Sequence, residues 1–385
     1  MNGDGGTSTI ARVFFKLGAI TFGGPAAGAA LMEQEVVRKR SWLTHEHFLD
    51  LLAATNLVPG ANVVEMAVHV GYVRAGWPGF VVAGIAFIVP AFLVSLAMGW
   101  IYVRFGSLPQ GEALLYGIGP AVVAVVLVAS YRLGRTALRD KGTAGIGLAS
   151  LLAALLGANP VLVLLAAGVA GVLIYALPRR LASALAVALV LLAQPPVVQS
   201  FQVMGWFDER LVRLGLFFLK VGTLLFGSGM VLFAFIQEDV VDRFGWLTQQ
   251  QLVDAIAVGQ MTPGPVLSSA TFIGYLVAGV PGALVSTVAI FLPSFVITAL
   301  VSPWIPRMRH SPVLTALLRG VSAAVVALIL AVSVTLFRST IVDVWTVLIL
   351  LGGLVALLWF RLDTLWLIAG GAVLGLVHFL VTGAS

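Results

Sequence analysis

Glu65 and His69 stand four residues apart in an apolar stretch, on one helical face with Asn62. A carboxyl beside an imidazole inside a membrane is a natural proton relay, so Glu65 and His69 are predicted to couple proton movement to solute movement. A charged pair that only fixes local structure would look the same. Lys16 and Lys220 each interrupt an apolar run, and a cation in hydrocarbon is unfavourable by several kcal/mol unless it is paired or wetted. Together they would balance one divalent anion; alternatively each snorkels to an interface or pairs with a neighbour such as Glu33 or Asp254. Arg319 opens the apolar run from Val313 to Leu336. Its planar fork suits a tetrahedral oxyanion, as it would equally suit a role in setting orientation. There is no cysteine among the 385 residues, which excludes disulfides, thiolate metal sites and cysteine nucleophiles. The sequence also holds no paired-aspartate metal motif, histidine cluster, nucleophile elbow or Gly-x-x-x-x-Gly-Lys-Ser/Thr loop. The reading is therefore of a protein that is not an enzyme or an ATP-driven pump, and that needs no metal or cofactor.

The elements that would position these groups repeat. At a shift of 204 (220 − 16), Lys16, Gly18, Phe22 and Gly23 fall on Lys220, Gly222, Phe226 and Gly227, and Trp42, Leu43 and Thr44 fall on Trp246, Leu247 and Thr248. Asp50, Pro59 and Gly60 fall on Asp254, Pro263 and Gly264. After a one-residue gap, Gly71, Tyr72, Ala75, Gly76, Pro78, Gly79, Pro90 and Phe92 fall on Gly274, Tyr275, Ala278, Gly279, Pro281, Gly282, Pro293 and Phe295. So many Gly, Pro and Trp in register mark an internal repeat. The predicted division is 1–180, a linker at 181–210, and 211–385.

Sixty per cent of the residues are hydrophobic and 10% charged, with a mean hydropathy of +1.07, whereas a soluble domain carries roughly a quarter charged residues. Apolar stretches of about 20 residues, the length that spans a bilayer, recur along the chain. The fold class is therefore all-α and polytopic, embedded in a lipid bilayer. The net charge of +6 sits in short loops, which reads as membrane orientation rather than nucleic-acid binding. In the first copy the predicted segments are Val13 to Met32, Glu33 to Leu52, Ala53 to Gly76, Pro78 to Val103, Ala113 to Tyr131, Thr143 to Leu156 and Val161 to Leu177. The loop with Arg132, Arg135, Arg139 and Lys141 is strongly positive and the preceding one has only Arg104. In the second copy the bias reverses, with Arg307 and Arg309 early and only Arg338 late. Equivalent loops facing opposite sides define an inverted-topology repeat of about ten crossings, or thirteen if the Gly/Pro segments cross rather than re-enter.

Two breaks recur in each copy: Phe22, Gly23, Gly24 and Pro25, repeated as Phe226, Gly227, Ser228 and Gly229, and Pro59, Gly60, Ala61 and Asn62, repeated as Pro263, Gly264 and Pro265. Helix starts freed by such breaks attract anions through their N–H groups and dipole, and are predicted to meet the solute near the midplane. The same glycines would also serve close helix packing.

These residues resemble the chromate ion transporter (CHR) family, in its long-chain, two-domain type. The second copy carries FGSGMVLFAFIQEDVVDRFGWLT from Phe226 to Thr248 and GQMTPGPVLSSATFIGYLVAG from Gly259 to Gly279. The first carries FGGP, WLT and NLVPGANVVEMAVHVGYVRAG between Phe22 and Gly76, departing at Ala61, where the family usually has a second proline, and across Gly24 to Gly28, which lack a histidine many members carry. The resemblance implies export of chromate from the bacterial cytoplasm across the inner membrane, with sulfate as a close analogue, by a multi-pass protein that confers chromate resistance. Transferred by position, it places Asn56 with its counterpart Gln260, Asn62, Ser268 and Ser269 near the ion, beside the Gly60 and Gly264 of the breaks; hydrogen bonds between helices are the competing explanation for each polar group. Proton coupling or anion exchange would drive it. A sulfate or other oxyanion importer on the same scaffold is the alternative, and a homodimer is open.

Overall fold

The computed structural model describes residues 6–22, 24–55, 59–176, 208–226, 229–302, 308 and 311–382. The predicted linker up to residue 207, Gly23, Asn56, Gly227, Ser228, Arg307 and Arg309 lie outside the described residues. The first copy forms α1 (Thr7–Ile20), α2 (Gly24–Glu33, prolonged by a π turn over Gln34–Lys39), α3 (His45–Thr55), α4 (Asn62–Phe105), α5 (Pro109–Ala137), α6 (Lys141–Leu155) and α7 (Pro160–Tyr175). The second repeats the order: α8 (Glu209–Leu224), α9 (Leu232–Phe235, between a 3-10 turn Gly229–Val231 and a π turn Ile236–Arg243), α10 (Gln249–Met261), α11 (Ser269–Val301, led by Val266–Ser268), α12 (Pro312–Thr340), α13 (Val344–Leu358) and α14 (Thr364–Thr382).

The repeated motifs are helix boundaries. In each Trp-Leu-Thr triplet the leucine is buried, Leu43 and Leu247, while the threonine caps the next helix. Thr44 Oγ1 accepts from the His47 amide at 3.2 Å, and Thr248 and Gln251 form a reciprocal capping box at the start of α10. The Ala-Gly pairs are hairpin bends: Ala75 and Gly76 leave helical geometry inside α4, and Ala278 and Gly279 do so inside α11, each glycine at φ +62°. The legs then touch at Gly71 and Gly79, where a Cβ on either would lie 2.2 or 2.1 Å from the other's carbonyl oxygen; Gly274 and Gly282 repeat the contact at 2.3 and 2.1 Å. Only glycine permits that approach.

The predicted helix from Val13 to Met32 is two helices, because the chain leaves α1 extended at Thr21 and re-enters helix at Gly24 with φ +83°. The predicted amphipathic stretch from Glu33 to Leu52 is likewise divided, at Ser41 with φ 51°. Among the described residues five helices are long and apolar enough to cross a bilayer: Asn62–Phe105, Pro109–Ala137, Val266–Val301, Pro312–Thr340 and Thr364–Thr382. The first leg of α4, residues 62–74, is only ~20 Å long at about 1.5 Å per residue, short of the ~30 Å hydrocarbon.

The copies interlock. α1 packs on α4 through Gly18 against the Phe87 carbonyl, and α8 on α11 through Gly222 against the Ile290 carbonyl. The later helices pair across copies: α5 packs on α14 at Gly117, Gly371 and Gly375, and α12 on α7 at Gly320 and Gly171. α5 and α12 run antiparallel, since Gly119 near the start of α5 meets Thr340 at the end of α12 while Gly134 meets Val326. Ahead of α6, hydrogen bonds from the Tyr175 hydroxyl and the Thr143 and Gly142 amides hold the Asp140 carboxyl below the usual carboxylate range. The equivalent Asp343 accepts from Tyr116 of the other copy.

Candidate functional site

The four breaks converge on one cavity of about 410 Å³. Gly24 at the start of α2, Gly60 to Asn62 at the start of α4, Gly229 at the first 3-10 turn, Gly264 to Val266 ahead of α11, and Thr364 at the start of α14 all line it. Five helical starts thus border one space, and the positive dipole end of a helix start favours a nearby anion. Three helix ends also reach the cavity, through Thr21, Thr262 and Leu357. Two of them close on themselves: Thr21 Oγ1 donates to the Leu17 carbonyl and Thr262 Oγ1 to the Val258 carbonyl, each at 2.7 Å.

The turns are held across the copies. The Gly60 amide donates to the Leu225 carbonyl and the Gly264 amide to the Thr21 carbonyl, both at 2.7 Å. Both glycines have positive φ, +145° and +94°. Ala61 completes its turn by donating to Ser294 Oγ at 2.9 Å, which supplies from the other copy the fixation that Pro265 gives the second turn through its ring.

Glu65 lies one turn inside α4, fully buried. Its carboxyl is packed against Gly60, so closely that a Cβ there would stand 2.1 Å from Glu65 Oε1 and 2.5 Å from Ser294 Oγ. Neither carboxyl oxygen has a hydrogen-bond partner. His69 Nδ1 lies 3.1 Å from Ser302 Oγ, so the two predicted relay residues share a helix leg without bonding to each other.

Of the other residues singled out, Gly24, Gly60, Asn62, Gln260 and Gly264 line the cavity. Gln260 Nε2 and Ser268 Oγ are buried polar atoms without partners, while Ser269 Oγ donates to the Val266 carbonyl at 3.0 Å. Lys16, Lys220 and Arg319 stand outside it. Lys16 is 58% exposed and 3.9 Å from Glu35, Lys220 pairs with the buried Asp239, and Arg319 lies over the Tyr175 ring at 5.2 Å. Glu35 and Asp239 are themselves repeat equivalents, so the two lysines make the same ion pair twice. Two charged lining residues were not foreseen as site residues: Arg132 of α5 and Asp363 ahead of α14. The signal for Arg132 lies in its spacing, since Val125, Val128, Ala129 and Arg132 share one helical face and all line the cavity.

A chain with several spanning helices, two tandem units and a cavity lined by broken helices is a multi-pass membrane protein of the transporter class. The particular family follows from comparison: the chain belongs to the Chromate transporter family, which it matches twice, over residues 8–172 and 212–376. It is similar to the chromate transport protein of Cupriavidus metallidurans, 36% identical over 375 residues, covering 96% of this chain and 92% of that protein. It is 32% identical to the probable chromate transport protein of Synechococcus elongatus over 360 residues, 91% of this chain and 88% of the relative. The uncharacterized transporter YwrA of Bacillus subtilis matches at 33% identity over 129 residues, 34% of this chain but 72% of that protein, a span within the length of one repeat. No solved structure matches the chain.

Proposed function

We propose that this protein exports chromate from the bacterial cytoplasm across the inner membrane as a secondary transporter, and thereby confers chromate resistance. The observation that carries the reading is the cavity in which five helical starts meet. A doubly charged tetrahedral oxyanion is a solute that converging helix-start dipoles suit, and the relatives named for chromate supply its identity. In this reading Gly24, Gly60, Asn62, Gln260 and Gly264 surround the ion. The two units, 1–180 and 211–385, form an inverted-topology repeat, supported by the antiparallel run of α5 and α12 and by the reversed loop charges. Coupling runs through Glu65, a buried carboxyl without a partner against the cavity-lining Gly60, exchanging protons as the anion moves.

The test is expression in a chromate-sensitive bacterium, following survival and accumulated chromate with and without a protonophore and with sulfate as competitor. Lower accumulation that the protonophore abolishes is the expected result. Unchanged accumulation with well-expressed protein overturns export, and uptake of sulfate instead would favour an importer on the same scaffold.

A further inference from the structure

The cavity is lopsided with respect to the repeat. α5 lends it Val125, Val128, Ala129 and Arg132, but the equivalent face of α12, Leu328, Ala331, Val332 and Thr335, contributes nothing. The α13–α14 junction lends Leu357, Asp363 and Thr364, whereas its counterparts Ala154, Pro160 and Val161 at the α6–α7 junction line no part of it. The structure has thus caught the cavity displaced toward the end where α5 finishes, beside the loop with Arg135, Arg139 and Lys141. Arg132 is exposed and also lines the cavity, which places it at the rim. It is the one cation among the described lining residues. Its guanidinium donates to the Leu357 carbonyl at 3.2 Å, using one of five N–H groups.

In an inverted repeat, exchanging the conformations of the two copies moves the opening to the opposite mouth. There the position of Arg132 is held by Thr335, half-buried and neutral. We infer that Arg132 is the anion-gathering residue of one mouth only, and that Thr335 leaves the other mouth without such a charge, so that the two faces of the protein differ in affinity for the same oxyanion. The inference rests on the oxyanion-transport reading above and deepens it. With no driving force, detailed balance holds kcat/KM equal from the two sides. The asymmetry therefore falls on KM, lower on the Arg132 side, with turnover from that side slower in proportion.

The test uses the full chain in right-side-out and everted membrane vesicles, with gradients collapsed by a protonophore and chromate entry measured from each side. Wild type is expected to show the lower KM from the side carrying Arg139 and Lys141. Arg132→Thr should raise that KM about tenfold or more, the worth of one charge-assisted hydrogen bond, and leave the other side's KM unchanged. Arg132→Gln keeps a donor for the Leu357 carbonyl and should raise KM as much, which separates charge from local support. The exchange Arg132→Thr with Thr335→Arg should invert the asymmetry. Equal KM in wild type and Arg132→Thr, or a double variant that keeps the wild-type asymmetry, overturns the inference. If wild type moves no chromate but moves labelled sulfate with a side difference that Arg132→Thr removes, the chromate reading fails and Arg132 stands. If neither anion is moved, nor bound by the purified protein in calorimetry, both fall.

Discussion

The amide of Gly60 donates to the carbonyl of Leu225 at 2.7 Å, and its repeat equivalent Gly264 donates to Thr21, the repeat equivalent of Leu225, at the same distance. Each proline-glycine turn is therefore anchored to the end of the first helix of the other copy. The cavity walls cannot form from one copy alone, because the acceptor for each turn's amide comes from its partner repeat.

The two glycines should not tolerate a side chain equally. At Gly60 alanine meets a φ of +145° and a Cβ 2.1 Å from Glu65 Oε1, combining backbone strain with overpacking for a loss of about 2–5 kcal/mol. At Gly264, φ is +94° but the nearest atom is Ala91 Cβ at 3.2 Å, so mainly the strain of about 1–3 kcal/mol remains. Thermal unfolding of the detergent-solubilised variants should rank wild type above Gly264→Ala above Gly60→Ala. Equal losses would mean that the space around Gly60 is not as tight as described.

Those turns were legible in the sequence because glycine and proline state backbone requirements directly: a positive φ, a missing N–H, a close approach. The bends at Gly76 and Gly279 fall where the sequence predicts one segment to end and the next to begin at Pro78; that each is a hairpin, which no local pattern states, explains why Gly71 and Gly79 recur in register. The lysine partners differ from the expected Glu33 or Asp254: they are Glu35 and Asp239, which align at the same shift that aligns Lys16 with Lys220, so the repeat register identifies them where a search for a neighbouring acid does not. Arg132 was read only as a loop charge. What makes it a lining residue is the meeting of α5 with the α13–α14 junction from the other end of the chain, a convergence that no local pattern encodes.

Glu65→Gln preserves the shape of a buried side chain but cannot release a proton. The carboxyl oxygens it replaces have no partners to lose, so the fold should be retained, with a loss of no more than about 1–3 kcal/mol for the unsatisfied amide. Chromate exchange should persist while proton movement accompanying it is lost, read as a vanished pH change in lightly buffered vesicles on adding chromate. Undiminished proton movement in Glu65→Gln would remove this residue from the coupling step.

Lys220 and Lys16 make equivalent pairs of different weight. Asp239 is 2% exposed and Lys220 37%, so Lys220→Gln leaves a buried carboxylate with only Arg243 at 3.7 Å. The loss should be about 1–3 kcal/mol, below the ~3–5 kcal/mol of a fully buried pair because Lys220 is partly wet and Arg243 remains. Adding Asp239→Asn should restore most of it. Lys16→Gln should lose less than about 1 kcal/mol, since Lys16 is 58% exposed and Glu35 keeps Lys39 and Arg40. Neither substitution should change the chromate KM; a matched rise in both would return the lysines to the ion.

Orientation can be read from two exposed positions that are repeat equivalents, Arg139 in the loop before α6 and Val342, 69% exposed, in the loop before α13. The chain has no cysteine, so a single Arg139→Cys or Val342→Cys gives one thiol and an unambiguous label. Arg135, Arg139 and Lys141 crowd the first loop, while Arg338 is the nearest basic residue before the second, and positive loops stay in the cytoplasm. An impermeant maleimide added to intact spheroplasts should therefore label Val342→Cys and spare Arg139→Cys, with the pattern reversed in everted vesicles. The same antiparallel packing of α5 on α12 that puts Gly119 beside Thr340 demands this result, because two equivalent helices that run in opposite directions across one bilayer must end on opposite faces. Labelling of both thiols from one side would mean that α5 and α12 cross in the same sense, and the exchange of mouths through which Arg132 and Thr335 are compared would then have no structural basis.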